Sequence, residues 1–128
     1  MIKPMTKIIF FADDNARASV LEWLNGLPKK PRAKGIARIF RLEECGFELR
    51  RPEADYVQDG VYELRWALGR VNYRILYFFH GREVVVLAHG LTKEDVIPAS
   101  DLKIAVLRKR SFEQNPIKHT FQTRLDNE

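Results

Sequence analysis

The stretch VYELRWALGRVNYRILYFFHGREVVVLAHGLTK, residues 61–93, decides the fold. Three runs rich in β-branched and aromatic residues are joined by turns that contain Gly69 and Gly81, a pattern that predicts an antiparallel meander. Side chains alternate along a strand, so parity assigns the faces. In the middle run Val71, Tyr73, Ile75, Tyr77 and Phe79 share one face, and Asn72, Arg74, Leu76 and Phe78 share the other. Both faces are mostly apolar, so both are expected to be covered. Arg74 then sits among hydrophobic side chains, where an unpaired charge is costly, and it requires a carboxylate or a phosphate. In the first run Glu63 and Arg65 share a face, opposite Tyr62, Leu64 and Trp66; in the third, Val85, Leu87 and His89 are expected to share one.

Arg65, Arg74, His89 and Lys93 converge if the three runs pair, and the residues alone support two readings of that convergence. Arg74 can form a structural ion pair with Glu63, Glu63 and Arg65 can be cross-strand charge pairing, His89 a hydrogen-bonded strand-end residue beside Gly90, and Lys93 surface charge. The same residues can equally form a reaction centre.

The rest of the chain bounds the answer. Its 128 residues make one domain of ordinary size, long enough to bury a core. With 45% hydrophobic and 30% charged residues the composition is globular rather than disordered. A net charge of +5 points to an anionic partner, without separating nucleic acid from an acidic protein. The single cysteine, Cys45, excludes an internal disulfide framework and fits a reducing compartment. No leader-like apolar segment opens the chain, since Asp13 and Asp14 follow the apolar run 8–12, and no run reaches the ~18 apolar residues of a membrane span, so a cytoplasmic location and no membrane partner are expected. Three histidines and one cysteine show no metal-ligand spacing, and no nucleophile motif or phosphate-cradling glycine loop is present, so neither metal nor cofactor is expected.

Residues 7–12 read as a strand, and Asp13, Asp14 and Asn15 as the start of a helix carrying Ala16, Val20, Trp23 and Leu24, stopped at Gly26. A second helix is expected from Pro31 to about Cys45, with Ala33, Ile36, Ala37 and Phe40 as its apolar stripe and Gly46 closing it. Lys34, Arg38 and Arg41 recur on another face of that helix, either as solvated charge or as a stripe that tracks RNA phosphates. Residues 50–60 read as a polar connection. Pro98, Ser100 and Asp101 open a last helix that ends at the basic Arg108, Lys109 and Arg110, whose charge complements a helix C-terminus. Residues 1–112 form the expected domain and 113–128 a flexible tail. The predicted order is β-α-α-β-β-β-α, an α+β layer with two N-terminal helices on an antiparallel sheet and a C-terminal helix.

The succession Tyr62-Glu63-Leu64-Arg65, Gly69, Tyr73-Arg74-Ile75-Leu76-Tyr77-Phe78, residues 86–93 (VLAHGLTK) and Pro98 resembles the RelE/ParE toxin superfamily, in particular its HigB-like, phage-derived branch. The resemblance spans about residues 8–110. It implies a RelE-like fold and, for most such toxins, ribosome-dependent, metal-free cleavage of mRNA, held in check by a cognate antitoxin of helix-turn-helix type. The resemblance implies catalytic positions at Arg74, in the strand Tyr-Arg motif, and at Lys93, after the last strand. Glu63 falls where some members carry a carboxylate base and others a lysine, and Arg65 matches the arginine of the Glu-Leu-Arg motif. His89 is the candidate acid, as the side chain with an unperturbed pKa near neutrality. The sequence departs from the branch at Glu94, where a second lysine is usual, and at Val96-Ile97-Pro98. An alternative within the superfamily is a ParE-like toxin that inhibits DNA gyrase without catalysis; an inactive RNA- or antitoxin-binding relic is another.

Overall fold

The computed structural model describes residues 5–92 and 96–126. In chain order the elements are β1 (Lys7–Phe11), α1 (Ser19–Asn25), α2 (Lys29–Cys45), β2 (Ala54–Gln58), β3 (Val61–Leu68), β4 (Val71–His80), β5 (Val84–Thr92), α3 (Ala99–Gln114) and β6 (Thr120–Phe121). One six-stranded sheet has the order β2-β3-β4-β5-β1-β6. The predicted meander is present: Val61 pairs with Phe78 and Leu68 with Val71 across β3 and β4, and β5 returns antiparallel along β4. The architecture is α+β and consistent with a RelE-like fold. Strand β1 runs parallel to β5, from Lys7 opposite Val84 to Phe10 opposite Leu87, an arrangement that local sequence could not show because the partners lie far apart in the chain.

Parity along β4 produces two cores. Tyr73, Ile75 and Tyr77 join Leu64, Trp66 and Phe10 beneath α1 and α2, where Val20, Leu24, Ile36, Ile39 and Leu42 complete the layer. Leu76 and Phe78 face the other way and join Val61, Ile9, Phe11 and Val86 beneath α3, through Ala105 and Phe112. Each face of the sheet therefore buries its own apolar layer, which is why β4 reads as a nearly continuous hydrophobic run.

Strand β5 departs from strict alternation. Leu76 pairs with His89 but Tyr77 pairs with Leu87, so Ala88 is an extra residue in the ladder. A bulge of this kind puts two residues opposite one and resets the faces beyond it. Val85 and Leu87 lie in the α1/α2 core, whereas His89, opposite Leu76, turns to the α3 face. The shared face expected for Val85, Leu87 and His89 is thus corrected.

Other expectations shift for equally local reasons. The Asp13 carboxylate accepts the backbone N–H groups of Asn15 and Arg17, both at 2.9 Å, and closes a turn. That side-chain turn competes with helix, so α1 begins only at Ser19. Helix α2 begins two residues before Pro31. Its buried residues are Pro31, Gly35, Ile36, Ile39 and Leu42, while Ala37 and Phe40 are exposed. The polar connection contains β2, whose Ala54 pairs with Leu64 and Asp55 with Glu63. Helix α3 continues four residues past Arg110, so Arg108, Lys109 and Arg110 do not cap its end; Arg108 donates to the carbonyl of Ala88 at 2.6 Å. In the expected tail, β6 pairs Phe121 with Phe10 and Thr120 with Phe11, and the buried His119 stacks on Phe11 with ring centroids 4.9 Å apart.

The rotation of α2 is set by a close approach. Trp66 Nε1 donates to the Pro31 carbonyl at 3.0 Å, and the indole lies against Gly35, where a Cβ would meet Trp66 Cζ2 at 2.5 Å. Substituting alanine for a helix-interior glycine gains about 1 kcal/mol from backbone propensity, but overpacking against a fixed ring costs about 1–3 kcal/mol. Gly35→Ala should therefore lower stability by up to about 2 kcal/mol in urea unfolding; an increase in the unfolding midpoint would show that the indole yields.

Candidate functional site

Strand β2 covers only the first half of β3. Its first pair is Ala54 with Leu64, and the Arg65 N–H donates to the Glu53 carbonyl at 2.8 Å just before the strand begins. Beyond that point no strand among the described residues pairs with this edge of β3. A cleft of about 570 Å³ lies over it, lined by Arg38, Pro52, Arg65, Trp66, Ala67, Asn72, Tyr73, Arg74 and Val96. Because the cleft wraps a strand edge, it receives side chains from both faces of the sheet: Trp66 and Tyr73 from one, Arg65 and Arg74 from the other. The two rings stack, with centroids 5.7 Å apart and planes inclined by 11°.

Arg65 and Arg74 are directly opposed in the β3–β4 register. Like charges so placed repel, and Glu63 lies between them. Its Oε1 is 3.0 Å from Arg74 Nε and 3.7 Å from Arg65 Nε. Both members of the closer pair are largely enclosed, with side-chain exposures of 10% for Arg74 and 13% for Glu63. The Glu63 oxygen lacks hydrogen-bond alignment despite the short distance, so the attraction is chiefly coulombic. The ion pair anticipated from parity is therefore present, at the wall of an open cleft.

His89 shares the α3 face with these residues but does not line the cleft. Its Nε2 is 2.7 Å from Oδ1 of Asp101, in the first turn of α3, which ties that helix to β5. Lys93 lies outside the described residues, as does Glu94. Of the basic set on α2, Arg38 lines the cleft and Lys34 is exposed. Arg41 donates to both oxygens of Glu53, from Nε at 3.0 Å and Nη2 at 3.1 Å; Arg38 Nη1 is 3.8 Å from the same carboxylate.

Sequence reasoning missed Glu53 and Asp101 as partners of the basic residues. Glu53 follows Pro52 in a polar segment, and no spacing relates it to Arg41, twelve residues earlier on α2. Asp101 was legible as a helix-start residue, while its contact with His89 required the bulge in β5. Among the described residues, no group of three or more His, Cys, Asp or Glu side chains could hold a metal ion. Among them, too, no helix is long and apolar enough to cross a membrane.

A sheet with helices on both faces is consistent with a RelE-like fold, and the opposed Arg65 and Arg74 place positive charge at the wall of its cleft. Residues 22–110, more than half of the chain, match the family described as phage-derived protein Gp49-like (DUF891). The chain belongs to this family, which is of the RelE/ParE toxin type. No curated protein matches the sequence.

The Glu53 carboxyl is held below its ordinary value of 4.5, first by the Arg41 hydrogen bonds and then by the charges of Arg41 and Arg38, with desolvation opposing. A depressed folded-state pKa contributes stability above the unfolded value, and that contribution disappears as pH falls through the folded one. Urea midpoints measured from pH 7 down to pH ~3 should therefore decline below about 4.5, and Glu53→Gln should make that decline shallower. An identical acid profile for the variant would show that the Arg41–Glu53 pair adds nothing to stability.

Proposed function

We propose that this chain is the toxin of a toxin–antitoxin pair, HigB-like within its superfamily, and that it cleaves mRNA on the ribosome without a metal. The observation that carries this reading is the placement of Arg65 and Arg74, opposed across β3 and β4, at an open cleft of nucleotide-accommodating size. In the reaction the ribose 2′-oxygen attacks the adjacent phosphorus as its proton passes to a base. The bond from phosphorus to the 5′-oxygen breaks, and an acid protonates the leaving oxygen, giving a cyclic phosphate and a 5′-hydroxyl. Negative charge builds on the non-bridging oxygens, and a guanidinium fork is suited to receive it.

Arg74 takes that role. Glu63 holds it in the resting cleft and serves as base or as orienting partner once a phosphate replaces it. Arg65 supplies the second positive charge. Lys93, after β5, is the further cation of the centre, and His89 is the acid, which requires it to exchange Asp101 for the leaving oxygen. Lys34, Arg38 and Arg41 contact RNA from α2. The partners are ribosome-bound mRNA and a cognate antitoxin of helix-turn-helix type, in the cytoplasm.

Induced in bacteria, the wild-type protein should arrest growth with internally cut mRNA, and Arg74→Ala should abolish both effects, a loss of at least ~10²-fold in cleavage as for removal of one oxyanion donor. Since breaking an enclosed ion pair costs about 3–5 kcal/mol, Arg74→Lys is the companion variant: it keeps the charge, loses the fork and should remain folded but severely impaired. Full toxicity of either folded variant would remove Arg74 from the mechanism. Intact mRNA with gyrase-linked DNA breaks would identify a ParE-like toxin instead.

A further inference from the structure

The basic residues of α2 are not an open stripe. Glu53 takes up the fork of Arg41 with two nearly equal N–H···O contacts, 3.0 and 3.1 Å, and approaches Arg38, whose side chain lines the cleft beside Arg65 and Arg74. Two oxygens received by one guanidinium fork is also how arginine holds a phosphate. The carboxylate thus occupies the position that an external anion would need.

We propose that Arg38, Arg41 and Glu53 form a gated anion subsite, separate from the Arg65–Arg74 position, which takes a second backbone phosphate of single-stranded RNA when Glu53 swings out. The proposal rests on the nucleic-acid reading above. The Glu53 side chain is 25% exposed and Arg41 48%, so the pair can open to water without unfolding the layer beneath. Its backbone stays anchored by the Arg65 N–H, which keeps the displaced carboxylate close by. A tethered competitor acts at an effective concentration in the millimolar range or above. Glu53 therefore sets a threshold: weakly held anions fail to displace it, whereas a strand already engaged at Arg65 and Arg74 presents its next phosphate locally and succeeds. Lys34, exposed on the same helix, is outside this gate.

The test is binding of a labelled oligouridine across a salt series, which requires no cleavage. Glu53→Gln keeps the shape of the side chain and removes its charge. It should tighten binding by about threefold or more at low salt and steepen the logarithmic salt dependence by about 0.7 per phosphate gained. Glu22→Gln is the control, because Glu22 receives the Arg17 fork on α1 at 2.7 and 3.1 Å, away from the cleft residues; its salt slope should match wild type. Arg41→Ala added to Glu53→Gln should erase the gain, and thermal unfolding establishes that each variant is folded. RNA binding that is unchanged in folded Glu53→Gln, or equally enhanced in Glu22→Gln, overturns the gated subsite while leaving the nuclease reading intact. Absence of RNA binding by every folded variant likewise overturns the subsite, whereas the ribosome-dependent nuclease reading stands or falls on the mRNA-cleavage experiment.

Discussion

Burial of β4 on both faces is the constraint around which the domain is built. From Tyr73 to Phe78 every side chain is enclosed, so the sheet needs an apolar layer on each side. Helices α1 and α2 supply one and α3 the other, and neither could be removed without exposing half of the strand. Arg74 is the charged residue inside this run. Its position is tolerable because Glu63 is two residues from the opposed Arg65 on the same face, close enough to offset both guanidinium charges. An enclosed pair of this sort is weak evidence for stability, since its desolvation cost offsets much of the attraction. The pair lies at the wall of the cleft that Arg65 and Arg38 also line.

The cleft itself arises from incomplete pairing. Strand β2 begins opposite Leu64, so among the described residues no strand pairs with β3 beyond Arg65 on that side. An unprotected strand edge is usually a liability. Here Arg65 and Arg38 put positive charge beside it, which discourages pairing with another strand and attracts anions. The same region fixes the helix above it: Trp66, on the opposite face from Arg65, holds α2 through Pro31 and Gly35, and that rotation carries Arg38 to the rim. Packing and electrostatics are therefore coupled through adjacent residues of one strand.

Much of this was legible from residue order. Alternation located β3, β4 and β5 and assigned both faces of β4, and the requirement for a partner at Arg74 pointed to Glu63. The short strands β2 and β6 were hidden because they are ordered by what they pair with rather than by their own hydrophobicity; Asp55 and Tyr56 look like loop residues until Glu63 and Tyr62 lie opposite them. The start of α1 moved because the Asp13 carboxylate closes a local turn instead of capping the helix, a choice between two hydrogen-bonding solutions open to the same side chain.

By itself, then, the sequence determined the meander, the two-faced central strand and the demand for an anion at Arg74, because each follows from alternation and from the cost of an enclosed charge. Only the tertiary structure decided which basic residues lie together. The extra residue at Ala88 turned His89 towards Asp101 and α3, and the short β2 opened the cleft. The rotation of α2 on Trp66 brought Arg38 beside Arg65 and Arg74 while Glu53 closed on Arg41. Register and helix rotation are set by contacts between distant segments, and residue spacing along a single segment carries no record of them.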